Sequence, residues 1–181
     1  MKVFLIIMAT EFHFIPINFE FGYQYSLNEN FSSFNFSFRL LRTDFKVKED
    51  VFSISIVKCG APGAPYISLL PLRCMSKHFY VEIEPFSWYW IEPFEGSRCP
   101  SLTAGIFNKF NLGKKAFLSV LPYANFSMLY DIEYGETFLW FFSIGVEFCA
   151  GARTKDKDVA ISFLSLYYLP FFIVVLLLSG T

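Results

Sequence analysis

The sequence predicts an all-β fold: an antiparallel up-and-down β-barrel of about eight strands, followed by a hydrophobic C-terminal helix. Three observations predict it. First, large apolar residues recur at every second position over long stretches. Ile15, Ile17, Phe19, Phe21, Tyr23, Tyr25 and Leu27 alternate with Pro16, Asn18, Glu20, Gly22, Gln24 and Ser26. Side chains on a strand alternate between the two faces of its sheet, so such a stretch has one greasy face and one small or polar face. Second, 25 of the 181 residues are Phe, aromatics reach 21% and charged residues only 17%; soluble domains carry roughly 25% charged residues. Third, turn signals separate the alternating runs. Several runs exceed the roughly five or six residues of a typical globular strand. Tilted strands of about ten residues or more are what a membrane barrel requires.

The elements follow in order. Residues 1–10 (MKVFLIIMAT) place Lys2 before an apolar run from Val3 to Ala9, like a signal segment without a cleavage motif. A hydrophobic edge strand is the other reading of this run. Residues 11–151 form the barrel domain, with strands at about 12–27, 31–47, 51–58, 66–72, 78–91, 101–111, 115–134 and 137–150. Asn28-Glu29-Asn30, Lys48-Glu49-Asp50, Asn111-Leu112-Gly113-Lys114 and Gly135-Glu136 read as connections. The Gly60 to Pro65 run and the Glu92 to Pro100 run read as irregular loops, and Arg73 to Lys77 reads as another break. The alternation of the second strand changes phase at Leu40-Leu41, which predicts a bulge. Residues 152–181 form a charged linker and a tail helix. Val159 to Ser179 is uncharged and of the length that crosses a bilayer; a buried or lipid-lying hairpin is its alternative.

Net charge is −1 and no basic stripe exists, which argues against a nucleic-acid partner. Cys59, Cys74, Cys99 and Cys149 form no CxxC pair and only two histidines are present, so neither a metal site nor a cofactor is expected. Four unpaired thiols are the favoured state, although Cys59 and Cys74 flank a short loop and strand. No P-loop, dinucleotide fingerprint or nucleophile elbow occurs.

Two constellations stand out. His78, Tyr80, Glu82 and Glu84 share one face of the fifth strand. With Glu20, Gln24, Asn35, Arg39 and Glu147 they form the candidate polar lumen face, expected to pair inside a filled barrel. A His beside carboxylates is also the outline of a general base, with Ser76 close by. Trp88, Tyr89 and Trp90, with Trp140, form the candidate aromatic belt at a membrane–water boundary.

The stretch LTAGIFNKFNLGKKAFLSVLPYANFSM looks like two barrel strands joined by a short turn, and TFLWFFSIGVEFCAGA looks like a closing strand. Over residues 12–150 the chain resembles a small, about eight-stranded bacterial outer-membrane β-barrel. Ser143, Gly145 and Phe148 fit the closing-strand pattern, while Ala150 stands in place of its final aromatic. The chain also continues past that strand to Thr181. The resemblance implies a non-enzymatic integral membrane protein with a structural, adhesive or small-solute role, partnered by a lipid bilayer in the bacterial outer membrane. A tail-anchored β domain binding an apolar ligand and a barrel-embedded lipid hydrolase using His78 are the alternatives.

Overall fold

The computed structural model describes residues 8–28, 32–62, 65–90, 97–112, 117–130 and 138–179. The long strands are β1 (Glu11–Ser26), β2 (Ser32–Val47), β12 (Phe117–Tyr130) and β13 (Phe138–Thr154). Between them run broken strands: β3 (Asp50–Ile54) and β4 (Val57–Pro62), β5 (Tyr66–Leu69) and β6 (Leu72–Ser76). Then come β7 (Phe79–Glu84), β8 (Phe86–Tyr89), β9 (Ser97–Arg98), β10 (Ser101–Phe107) and β11 (Phe110–Asn111). β3 with β4, β5 with β6, β7 with β8, and β9 with β10 and β11 each make one stave, so eight staves result. Every stave pairs antiparallel with its sequence neighbour, and β1 pairs with both β2 and β13. The sheet therefore closes on itself, and no edge is left to template another chain.

The strand interruptions form a line. The register places Pro16 opposite Leu41, Leu41 opposite Ile56, Ile56 opposite Leu70 and Leu70 opposite Pro85. Leu41 and Leu70 adopt φ of 52° and 53°. On the β13 side, Ile15 and Pro16 together oppose Gly151, a two-against-one bulge. A Cβ on Gly151 would lie 2.0 Å from the Phe14 carbonyl oxygen, so only glycine allows that approach. Across this seam the inward phase shifts by one residue. Asn18, Glu20, Ser37 and Arg39 face in on one side of it, and His13, Ile15, Arg42 and Asp44 on the other. The bulge expected at Leu40-Leu41 is thus one station of a seam that crosses five staves.

Helix α1 (Lys157–Ser179) follows β13 directly. Its first half packs on the outside of the barrel below the seam. The Phe163 ring stacks on Phe14 at 4.8 Å, and the Tyr168 hydroxyl donates to the Ile54 carbonyl at 3.1 Å. Phe12, Phe45, Ile54 and Ile56 complete that cluster, as does Ala9 from the N-terminal segment. Among the described residues no helix is long and apolar enough to cross a membrane, which does not bear on the strands. For the tail, the described half thus acts as a clasp on the wall; the side chains of 170–179 lie outside the described residues, as do residues 1–7 of the signal-like run.

Inside, tyrosines cover glycines. Tyr66 lies over its partner Gly60, Tyr80 over Gly105, and the Tyr123 hydroxyl over the Gly22–Gly145 pair. A Cβ on Gly60 would sit 2.0 Å from the Tyr66 ring. Gly60→Ala is therefore expected to destabilise the barrel by about 1–3 kcal/mol, read by urea unfolding in micelles. An unchanged midpoint would mean that the ring moves aside freely.

Candidate functional site, a charged barrel interior

The inward side chains of the staves meet in one buried charge network. Its cations are Arg39, Arg42, Lys58 and Arg73; its carboxylates are Glu20, Asp44, Glu82, Glu84 and Glu147. Arg73 from β6 is the hub. Its Nε donates to Glu82 Oε2 at 2.5 Å, its Nη2 to Glu20 Oε1 at 3.0 Å, and its Nη1 to Glu147 Oε2 at 2.5 Å. One guanidinium thus joins β1, β6, β7 and β13, and its fork of donors suits several carboxylates at once. Arg39 adds Glu20 Oε1 at 2.7 Å and Glu82 Oε2 at 2.8 Å. Lys58 reaches Glu84 at 2.6 Å and Glu82 at 2.9 Å. Arg42 holds Asp44 and reaches Glu147.

Neutral partners complete the set. Asn18 donates to Glu147 at 2.7 Å, Ser37 to Glu20 at 2.9 Å and Ser53 to Asp44 at 2.7 Å. Buried charges are tolerable only when paired and hydrogen-bonded in this way. The seam makes the network possible. Arg39 and Arg42 are three residues apart, so strict alternation would aim them to opposite faces. The phase change at Leu41 turns both inward.

Beyond the network lies a polar cavity of about 50 Å³, bordered by Glu84, Asn35, Lys58, Tyr66, Tyr80 and Asn125 among others. It has room for a water or two, not for a drug-sized molecule. Glu84 Oε2, Asn35 Oδ1 and Asn125 Oδ1 border it without a protein partner, as groups that bind internal water would. Among the described residues no cluster of His, Cys, Asp and Glu is arranged to hold a metal ion, and none of the four cysteines is in a disulfide.

Most of the expected lumen face is here. Glu20, Arg39, Tyr80, Glu82, Glu84 and Glu147 are buried inside, and Gln24 and Asn35 border the cavity. His78 is a correction. It sits exposed in the two-residue turn Lys77-His78, because β7 begins only at Phe79. It is therefore not brought together with the buried Glu82 and Glu84, and Ser76 is likewise exposed. Tyr89 is the second correction. Trp88 and Trp90 face out, so alternation turns Tyr89 inward, where it stacks on Tyr66 at 5.0 Å. Trp140 faces out against Phe126 at 5.1 Å. Arg42, Asp44, Lys58 and Arg73 were not anticipated. Carrying the phase change of β2 past Leu41 would have found the first two.

No family model matches the chain, and no curated protein and no solved structure matches it either.

Removing one carboxylate should expose the hub. Glu147→Gln removes the carboxylate that Arg42 and Arg73 share, leaving them Asp44 and the Glu20 and Glu82 carboxylates, so the loss is that of charge-assisted hydrogen bonds, about 2 kcal/mol. Urea unfolding in micelles measures it, and a change below about 1 kcal/mol would show the network to be energetically idle.

Proposed function

We propose that the chain is an integral membrane β-barrel whose aromatic wall contacts lipid and whose role is structural or adhesive rather than catalytic. The observation that carries this reading is the inversion of the barrel: the charge network lies inside and a large share of the apolar side chains of the staves faces out. Phe21 is 51% exposed, Phe34 76%, Phe79 66% and Ile144 51%. Outward apolar side chains on this scale have no place on a water-facing monomer. They suit hydrocarbon, while inside the barrel Arg39, Arg42, Lys58 and Arg73 are each paired with a carboxylate. A 16-residue stave, at a rise of roughly 3.3 Å and a tilt of about 40°, spans about 40 Å, enough for a bilayer core of about 30 Å.

Lys48-Glu49 and Lys77-His78 are two-residue turns at the end that holds both termini of the barrel. At the opposite end β1 stops at Ser26, β8 at Tyr89 and β12 at Tyr130. Trp88, Trp90 and Trp140 lie near that end, where a belt of amphipathic rings would mark the boundary. In this reading the barrel sits in a bacterial outer membrane or a comparable bilayer. Solute passage is limited by the salt-bridged interior. The apolar-ligand alternative would need an apolar cavity, and the hydrolase alternative would need His78 beside its carboxylates.

The test is behaviour in membranes. The full chain refolded into vesicles should migrate differently on a gel before and after boiling, and should resist protease in its strands. Planar bilayers should show no porin-sized conductance. A chain that stays in the aqueous phase without detergent as a folded monomer would refute the proposal.

A further inference from the structure

The polar cavity beyond the Arg73 hub is bordered by buried oxygen atoms that no protein donor reaches: Glu84 Oε2, Asn35 Oδ1 and Asn125 Oδ1. All three are acceptors. Among the described side chains that border the cavity, no buried donor is left without a partner. We propose that this cavity holds one small monovalent cation, of the sodium or potassium class, on the free oxygen of Glu84.

Glu84 carries the argument. It is 1% exposed, and its Oε1 accepts from Lys58 Nζ at 2.6 Å. The same ammonium serves Glu82 at 2.9 Å, and Glu82 takes Arg39 and Arg73 besides. Glu84 thus shares its lysine with a neighbour that already has two guanidiniums. The other carboxylates of the network are better served. Both oxygens of Glu20, Asp44, Glu82 and Glu147 accept a hydrogen bond. Glu84 Oε2 instead borders polar space in an interior where a carboxylate oxygen without a partner is costly.

The donor set selects the ion. A single water has too few hydrogens to serve three acceptors, whereas a cation attracts all of them, directly or through water. Oxygen ligands suit hard cations. One carboxylate oxygen with two neutral amides matches a single positive charge. Among the described residues, no three of His, Cys, Asp and Glu gather as a divalent or transition metal would require. The volume of about 50 Å³ has room for one such ion with a water, not for a bulky organic cation. Tyr89 ends β8, Leu129 stands next to the end of β12, and both border the cavity. The ion therefore enters from that end of the barrel, and the Arg73 hub is its floor. The site lies inside the barrel and does not depend on what the outer wall contacts.

The full chain is folded in maltoside micelles, and its thermal unfolding is followed by tryptophan fluorescence. Sodium, potassium and N-methyl-D-glucamine chlorides are compared at one fixed ionic strength. A saturable rise of the midpoint with sodium or potassium, reaching about 3 °C or more, is expected, with none from the bulky cation. Glu84→Gln should abolish the response. Asn35→Ala and Asn125→Ala should each raise the half-saturating concentration by about tenfold. Ser53→Ala, which loosens the network around Asp44 without touching the cavity, should respond like the parent. If Glu84→Gln does not fold, the parent and the two asparagine variants decide. Equal midpoints in all three salts, a rise that never saturates, or an undiminished response in the asparagine variants would refute the site. A midpoint that answers to acid and not to alkali cations would assign the cavity to a proton shared by Glu82 and Glu84, and overturn the proposal.

Discussion

Everything in this barrel depends on Arg73 and the three carboxylates that it joins. Glu20, Glu82 and Glu147 belong to three different strands, and the guanidinium ties them to its own. Removing ions from water costs several kcal/mol each, and only close pairing offsets that. The interior therefore cannot be loosened locally without stranding a charge. An interior of this kind takes a few rings, such as Tyr66, Tyr80, Tyr89 and Phe141, and most of the phenylalanines of the long staves face outward. The inverted wall follows from the charged core.

Geometry had to bend to allow it. A plain alternating strand would send either Arg39 or Arg42 into the outer face. The seam from Pro16 through Leu41, Ile56 and Leu70 to Pro85 changes the phase of five staves along one line. Proline suits such a line because it cannot join a ladder as a donor. Leu41 and Leu70 instead accept a left-handed backbone, which is costly for a branched side chain. Strain at these two leucines is thus coupled to the pairing of Arg42 with Asp44 and Glu147. Below the seam, α1 covers outward rings such as Phe14 and Phe45, so wall and tail share one cluster.

Much of this was legible in the residues. Period-two alternation located the long strands β1, β2, β12 and β13, because one wrong step in register would flip every ring inward. The lumen positions Glu20, Arg39, Glu82, Glu84 and Glu147 followed from the same alternation. His78 was misplaced because alternation does not tell where a two-residue turn replaces the strand. Tyr89 was misplaced because it was grouped with its aromatic neighbours by type, although its own parity pointed inward. Lys58 lies on a six-residue strand, too short to establish a phase, and the Arg73 to Lys77 run reads in the sequence as a break, whereas β6 continues through it to Ser76 and turns Arg73 inward. The tyrosine–glycine pairs are cross-strand contacts and leave no trace in local pattern.

The central claim is that the rings meet lipid and the charges do not. Photoactivatable lipids test it most directly. The full chain in vesicles is irradiated and digested, and the modified residues are mapped by mass spectrometry. The account predicts adducts on Phe21, Phe36, Phe38, Leu40 and Ile144, none on Glu20, Ser37 or Arg39, and protection of Phe14 under the helix. Adducts spread equally over inward and outward positions, or an unlabelled barrel with label only on the tail, would contradict it.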